Sequence, residues 1–199
     1  MQDFWNARYR EANYAYGVEP NDFLKAQAKK LKRGSRILTL AEGEGRNAAF
    51  LASKGMSVTA VDFAEAGREK ALALADEMGV PLTYLVQNLM DMVVVDHKWD
   101  GIVAIFAHVP PPVQKHMFNY IRHALKPGGH FILEGYTPDQ IGRGTGGPPK
   151  ADMMFSSDLL NKEFEGFDIL INTEKVRNIQ EGDHHCGKGA IVQFVARKK

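Results

Sequence analysis

The stretch Ile37 to Asn47, ILTLAEGEGRN, constrains the fold more than any other part of the chain. Its first four residues are apolar and predict a short buried strand. Gly43 and Gly45 follow, where the backbone must turn sharply and come close to a ligand. The next residues, NAAFLASKG, suit a helix packed on a sheet. A strand, a glycine loop and a helix in this order predict a nucleotide-binding α/β unit.

A second predicted strand, Ser57 to Val61, ends in an acidic residue, Asp62, about twenty residues downstream of the loop. A carboxylate at a strand end can accept hydrogen bonds from both hydroxyls of a ribose. Gly43, Gly45 and Ala48 also fit the G-x-G-x-x-A fingerprint of dinucleotide-binding domains. That match alone is weak evidence, because short glycine patterns are common.

The charges of the loop help to decide between a dinucleotide and another nucleoside cofactor. Glu42 and Glu44 lie inside the loop that would hold a pyrophosphate, and like charges at short range are unfavourable. S-adenosylmethionine (SAM) has no phosphate, carries an ammonium and a sulfonium group, and still presents a ribose and an adenine. The acidic loop therefore favours SAM, and it resembles the nucleotide-binding motif of the class I SAM-dependent methyltransferases.

Length and composition favour a single domain spanning residues 1–199. Of these residues 44% are apolar and 25% are charged, which is enough for one substantial core. The formal charge of +1 gives no field to attract nucleic acid or a membrane, and we expect neither as a partner. Cys186 is the only cysteine, so no internal disulfide forms. We expect a cytoplasmic protein without a signal peptide, either a monomer or a weak homodimer.

Residues 1–33 form an N-terminal arm and helix with many aromatic side chains. Those ahead of the first predicted strand are Phe4, Trp5, Tyr9, Tyr14 and Tyr16. The arm either packs over the core or forms a lid over cofactor and substrate, with Tyr9 and Tyr16 as the substrate contacts. Asn21 is expected to cap the helix that follows, and Gly34 to end it.

Further candidate residues follow the third and fourth predicted strands, where ligands bind in open α/β sheets. After LTYLVQN, Asn88 can reach an adenine edge, and Leu89 can offer its backbone N–H or an apolar contact. The fourth strand, WDGIVAIFAHVPPP, is expected to run to His108 before its prolines stop it. His108 is a candidate for proton transfer, or alternatively a histidine bonded to a turn. The predicted cofactor contacts are Ala41, Glu42, Gly43, Gly45, Asn47, Asp62, Phe63, Asn88, Leu89 and Phe106.

The carboxyl-terminal part of the chain supplies the remaining candidates. Glu134 and Tyr136 close the fifth strand, HFILEGY, as substrate contacts or as satisfied surface groups. Residues 141–156 hold too many glycines and prolines for regular structure, and we expect a mobile loop that shapes the substrate site. FDILINTEKVRNI and GAIVQFVARK are the last strands, joined by EGDHHCGKG as an antiparallel hairpin.

The hairpin contains His184, His185 and Cys186, which suggests a metal site. Successive side chains of an extended segment alternate between faces, so His185 points away from the other two. Two ligands on one side are too few for a closed zinc site, and we expect no metal. His185 is instead the second catalytic candidate, with an ordinary polar role in the hairpin as the alternative.

AEGEGRN, Asp62, the turn LKPGG and the terminal EGDHHCGKGAIVQFVARKK together resemble the tellurite-resistance and thiopurine branch of the class I SAM-dependent methyltransferases. The resemblance covers nearly the whole chain. It departs at Thr39, where the first strand usually has an acidic residue, and at Ala41, where the loop usually has its first glycine. These departures leave Glu42 or Glu44 to hold the methionine ammonium.

The resemblance implies a three-layer, Rossmann-like α/β sandwich. Its seven-stranded, mostly parallel sheet has the order 3-2-1-4-5-7-6, with strand 7 antiparallel and helices on both faces. The implied activity is methyl transfer from SAM to a small-molecule acceptor such as a thiol, selenium or tellurium species. A soft acceptor needs no base, whereas an oxygen or nitrogen acceptor would make His108 or His185 important. The alternatives are a SAM-binding sensor without catalysis and an NAD-linked oxidoreductase.

Overall fold

A seven-stranded sheet forms the centre of the computed structural model, which describes residues 1–199. The strands are β1 (Arg36–Leu40), β2 (Ser57–Asp62), β3 (Thr83–Val86), β4 (Trp99–Ile105), β5 (Leu125–Tyr136), β6 (Asp168–Glu181) and β7 (His185–Arg197). Their order is β3-β2-β1-β4-β5-β7-β6. The first five strands pair in parallel, and β7 is antiparallel to both of its neighbours. The predicted order and the antiparallel strand are confirmed.

Helices cover both faces of the sheet. They are α1 (Gln2–Tyr9), α2 (Asp22–Gln27), α3 (Arg46–Ser53), α4 (Glu65–Glu77), α5 (Pro111–Ala124) and α6 (Ser157–Glu163). Neighbouring β1 residues belong to different cores, because side chains alternate along a strand. Ile37 packs with residues of α2, α3 and α4, whereas Leu38 packs with residues of α5 and α6. None of these helices combines the length and the apolar composition that a membrane span requires.

Two boundaries near the N-terminus test the capping predictions. The Asn21 side chain accepts the N–H of Leu24 at 3.0 Å, so the predicted cap of α2 is confirmed. The helix does not continue to Gly34 as expected. It ends at Gln27, and a 3-10 turn over Ala28–Lys30 follows it. Gly34 lies beyond, with a φ of +82°.

The ends of β4 and β5 differ from the prediction. β4 ends at Ile105 and not at His108, because Phe106 takes a left-handed backbone conformation with a φ of +51°. The prolines that follow begin α5, where a missing N–H has no cost. The LKPGG segment lies within β5, as an irregularity between the pairs Leu125–Trp99 and His130–Gly101.

The final hairpin is longer than expected. β6 and β7 continue until only residues 182–184 remain as the turn. Residues 141–156 are irregular as predicted, apart from a 3-10 turn over Ala151–Met153. This loop is tied to the hairpin, because the Thr145 hydroxyl donates to the Lys188 carbonyl at 3.0 Å. Its mobility stays a prediction.

Candidate functional site

A cleft of about 520 Å³ opens at the carboxyl ends of β1, β2 and β3, beside the start of α5. This volume is typical of small-molecule sites, and the location is the one that ligands occupy in parallel α/β sheets. The N-terminal arm contributes Met1 and Gln2 to the lining. Five of the ten predicted cofactor contacts also line it: Ala41, Asp62, Phe63, Asn88 and Leu89.

The glycine loop between β1 and α3 adopts left-handed backbone at three positions. Ala41, Gly43 and Gly45 have φ angles of +50°, +62° and +87°. Such angles are easy for glycine and uncommon for residues with a Cβ atom. A Cβ atom on Gly43 would lie 2.7 Å from the Tyr9 hydroxyl oxygen, and the Tyr84 hydroxyl donates to the Gly43 carbonyl at 2.6 Å. Two tyrosines therefore fix this loop against the arm and β3.

Asp62 fixes the loop from the cleft side. Its Oδ2 accepts the N–H of Gly43 and its Oδ1 the N–H of Ala64, each at 3.0 Å. Burial raises the pKa of Asp62, and these main-chain hydrogen bonds oppose that rise. Each carboxylate oxygen can accept a second hydrogen bond, so Asp62 retains the capacity to bind vicinal hydroxyls.

Glu42 has a different role from the one predicted. Its Oε1 accepts the N–H groups of Asn47 and Ala48, at 3.1 and 2.8 Å, and so caps the start of α3. Burial raises the pKa of Glu42 to about 7, and the hydrogen bond from Ala48 opposes this rise. The helix N-terminus is where a Rossmann domain binds a pyrophosphate. Glu42 therefore disfavours a dinucleotide by occupying its anion site, not by lining the cleft.

Glu44 is also held inside the protein. Its Oε2 accepts the N–H of Ala15 and its Oε1 pairs with the Lys70 ammonium, both at 2.8 Å. The carboxylate thus joins the arm to α4, and its charge is already neutralised. The expectation that Glu44 holds the methionine ammonium does not fit this arrangement.

Three other predicted cofactor contacts lie outside the cleft lining. Asn47 is buried, and its side chain accepts the N–H of Asn21 at 2.9 Å. Gly45 packs against Ala71, because a Cβ atom there would lie 2.5 Å from the Ala71 methyl carbon. Phe106 packs on other aromatic rings beyond β4. Asn47 and Gly45 shape the loop from behind.

The predicted substrate contacts are more deeply buried than expected. Tyr9 is buried over the glycine loop, and Tyr16 is half-buried beside it. Tyr136 is fully buried and donates to the Thr145 carbonyl at 3.1 Å. Glu134 is fully buried as well, and it forms an ion pair with Arg177. Neither Glu134 nor Tyr136 is open to a substrate in this arrangement.

Both ring nitrogens of His108 have backbone partners. Nδ1 lies 3.0 Å from the Met153 carbonyl, and Nε2 accepts the N–H of Tyr136 at 2.9 Å. This pattern requires the proton on Nδ1. Burial lowers the pKa of His108 to about 4, so the ring is neutral at pH 7. The geometry fits the alternative of a histidine bonded to neighbouring backbone and leaves no nitrogen for proton transfer.

His185 lies in a cluster of aromatic rings. Its centroid is 4.4 Å from that of Tyr16, 4.6 Å from Phe106 and 5.4 Å from Tyr136. Its Nδ1 is buried, makes no hydrogen bond, and lies 4.0 Å from the nearest Glu181 oxygen. Burial lowers the pKa of His185, which Glu181 partly opposes. At pH 7 the ring is therefore neutral, its Nδ1 is unsatisfied, and it does not line the 520 Å³ cleft.

Side chains alternate between faces at the start of β7, as predicted. Cys186 is exposed, and its thiol donates to the Gly182 carbonyl at 2.9 Å, whereas His185 is buried. No group of three or more His, Cys, Asp or Glu side chains in the chain is placed to hold a metal ion.

A buried ion network lies beside His185, and the sequence did not predict it. Glu181 pairs with Arg46 at 2.5 Å and with Arg177 at 3.0 Å. Asn21 donates to Glu181 and Glu134, each at 2.8 Å. The members come from four distant parts of the chain, so no local pattern pointed to them. The i,i+4 spacing of Arg177 and Glu181 is not a signal for contact in a strand.

A family model described as a methyltransferase domain matches residues 37–129. This segment contains the glycine loop, Asp62 and the whole of α4 and α5. The match confirms the predicted methyltransferase class for this segment, and SAM is the cofactor that the class implies.

Individual relatives agree with this result. A ubiquinone biosynthesis O-methyltransferase of Rickettsia conorii is 34% identical over 99 residues, which are 49% of this chain and 33% of that protein. The match thus spans about a third of that relative's length.

Solved structures show the same fold over all or most of the chain. TehB from Haemophilus influenzae has a TM-score of 0.74 at 17% identity, over 100% of this chain and 67% of that one. A SAM-dependent methyltransferase of Methanosarcina mazei has a TM-score of 0.66 at 19% identity, over 91% and 99%. At these identities the likeness concerns the fold.

Proposed function

We propose that this chain is a SAM-dependent methyltransferase that acts on a small-molecule acceptor. The observation that carries the proposal is the cleft at the strand ends, lined by Asp62 and Asn88, beside a helix whose N-terminus Glu42 already fills. A ribose and an adenine suit such a cleft, and a pyrophosphate does not. The family match over residues 37–129 supports the same conclusion.

The residues of the cleft fall into three groups: one for the ribose, one for the adenine, and one from the arm that covers the cleft. In this proposal Asp62 accepts the ribose hydroxyls, while Phe63, Leu89 and Asn88 surround the adenine. Gln2 of the arm donates to the Phe63 carbonyl at 2.7 Å, so the arm covers one side of the cleft. The bound cofactor supplies an electrophilic methyl group. The protein's task is orientation and exclusion of water, and no protein nucleophile is required.

We place the acceptor beside His185 and the half-buried rings of Tyr16 and Phe106, while the fully buried Tyr136 only packs against them. His185 is neutral and has an unsatisfied Nδ1, so it can take a proton from an oxygen or nitrogen acceptor. A thiol, selenium or tellurium acceptor would need no such base. We propose a soft acceptor of this kind, which the resemblance to the tellurite-resistance and thiopurine branch supports.

Calorimetric titration tests the cofactor. We expect SAM to bind, NAD⁺ to give no heat, and Asp62→Ala to weaken SAM affinity about 10- to 100-fold, because a charge-assisted hydrogen bond is lost. Asp76→Asn, an exposed change at the far end of α4, is the matched control and should bind normally. Binding of NAD⁺ without binding of SAM would refute the proposal.

A screen for S-adenosylhomocysteine release tests the acceptor. The panel contains small thiols, selenite, tellurite, phenols and amines, each with wild-type protein and with His185→Gln. A soft acceptor should be turned over equally by both proteins, whereas an oxygen acceptor should lose about 10²- to 10⁴-fold in the variant. SAM binding without product across the whole panel would favour a SAM sensor.

A further inference from the structure

We infer that a second cleft, on the sheet face that α5 and α6 only partly cover, binds an apolar molecule carrying an acidic group. The cleft has a volume of about 430 Å³, within the range of small-molecule sites. It shares only Gln87 with the lining of the cofactor cleft. The inference therefore does not depend on the proposed function.

The cleft exists because the chain between β3 and β4 contains no α-helix. Only a 3-10 turn over Leu89–Asp91 and the irregular residues after it lie against β1, β2 and β3 on this face. Leu85 on β3 remains 44% exposed, and Val93, after the 3-10 turn, 78% exposed. The apolar lining consists of Leu38, Val61, Leu85, Met92, Val93, Trp99 and Tyr120. Uncovered apolar surface of this kind often marks a binding site.

The charges of the lining are all of one sign. Arg36 and Lys98 are its only charged residues, and no carboxylate lines the cleft. Both cations lie over the Trp99 ring, at 5.6 and 4.9 Å from its centroid, and neither forms an ion pair. Asp100, next to Trp99, does not line the cleft: it pairs with Lys126, accepts the main-chain N–H of Arg36 and attracts the Arg36 guanidinium without forming an ion pair with it. Two unpaired cations at one ring repel each other, and a bound anion removes that repulsion.

The chemistry of the occupant follows from these two properties. A second copy docked face to face would bring four cations together without a carboxylate from the lining, which is unfavourable. An aliphatic or aromatic monocarboxylate satisfies both parts of the cleft. Its acid group pairs with Arg36 and Lys98, and its apolar part covers Leu85 and Val93.

Methyl NMR of the full-length protein tests this inference, with octanoate, 1-octanol and octyltrimethylammonium as probes. We expect octanoate to shift the Leu85 and Val93 methyl signals, and to bind about tenfold or more tightly than the other two probes. The Arg36→Gln/Lys98→Gln double variant should lose about tenfold in octanoate affinity and keep its octanol affinity. Lys25→Gln/Lys29→Gln removes two exposed cations on and just after α2 and should change neither affinity.

Three results would overturn the inference. Octanol binding as tightly as octanoate would show that the cations contribute nothing. Shifts at Val113, which lines the cofactor cleft, without shifts at Leu85 would place octanoate in the wrong site. An unchanged octanoate affinity in the Arg36→Gln/Lys98→Gln variant would exclude the assigned head-group contacts.

Discussion

Among single residues, Glu42 links the protonation of the glycine loop to the stability of the fold. Burial raises its pKa from 4.5 to about 7. Because its pKa is higher in the folded than in the unfolded state, the folded protein binds the proton more tightly. The free energy of unfolding should therefore fall as the pH rises from about 4.5 to about 7.

The variant Glu42→Gln tests this linkage, since glutamine keeps an oxygen for the N–H groups of Asn47 and Ala48 but does not titrate. Between about pH 5 and about pH 7.5, we expect the wild type to lose up to about 3 kcal/mol relative to the variant. Urea denaturation of both proteins across this range measures the difference. Parallel pH profiles would show that the carboxylate is already ionised at pH 5.

For His108 we expect the opposite behaviour: its imidazole ring should not titrate near neutral pH. With Nδ1 donating to Met153 and Nε2 accepting from Tyr136, the ring should stay neutral and Nδ1-protonated between about pH 5 and about pH 8. Nitrogen-15 NMR of the imidazole reads both the tautomer and its charge, and a His108→Ala sample assigns the signal. A midpoint within that range would contradict the bonding pattern and return His108 to the catalytic candidates.

Among secondary-structure elements, the packing of the glycine loop on α4 limits what the loop can tolerate. Gly45 and Gly34 have nearly equal φ angles, +87° and +82°, but only Gly45 faces a neighbour. We expect Gly34→Ala to cost about 1 kcal/mol from backbone strain alone. Gly45→Ala should cost about 1 to 3 kcal/mol more, because the new methyl group meets Ala71.

Chemical denaturation of the two alanine variants gives this difference directly, and SAM titration shows its effect on the cleft. The Gly34 variant should bind SAM normally, and the Gly45 variant should bind it more weakly. Equal losses of stability would mean that the loop and α4 move apart easily, and that their packing does not define the cleft.

The elements were predictable where the signal is local. Apolar runs located the strands, and the Asn21 cap follows from its own side chain. The predicted end of β4 was wrong. Apolar residues continue past Ile105, but the strand stops there because Phe106 has a left-handed backbone conformation.

Half of the predicted cofactor contacts line the cleft, because parallel strands end at one edge of the sheet. The direction of a side chain was not predictable where its partner is distant in sequence. Glu44 is bound by Ala15 and Lys70, which are 29 and 26 residues away.

In the whole molecule, the buried ion network joins segments that are far apart in the chain. Glu181 on β6 binds Arg46 of α3, Arg177 of the same strand, and Asn21 before α2. Burial alone would raise the pKa of Glu181, but the guanidinium groups of Arg46 and Arg177 outweigh it and lower the pKa well below its usual range. Its contribution to stability is therefore present above about pH 4.5 and lost as the pH falls below that value.

Glu181→Gln should thus destabilise the protein by about 3 to 5 kcal/mol at pH 7, because the buried Arg46 guanidinium loses its charge partner and the half-buried Arg177 keeps only Glu134. Glu163→Gln is the control: it breaks a partly exposed pair with Arg122, which should cost less than about 1 kcal/mol. Denaturation at pH 7 and in acid should show the Glu181 effect shrinking as the pH falls. If both variants lose the same small amount of unfolding free energy, the network does not hold α3 and its glycine loop against the hairpin. The shape of the cleft would then depend on the sheet alone.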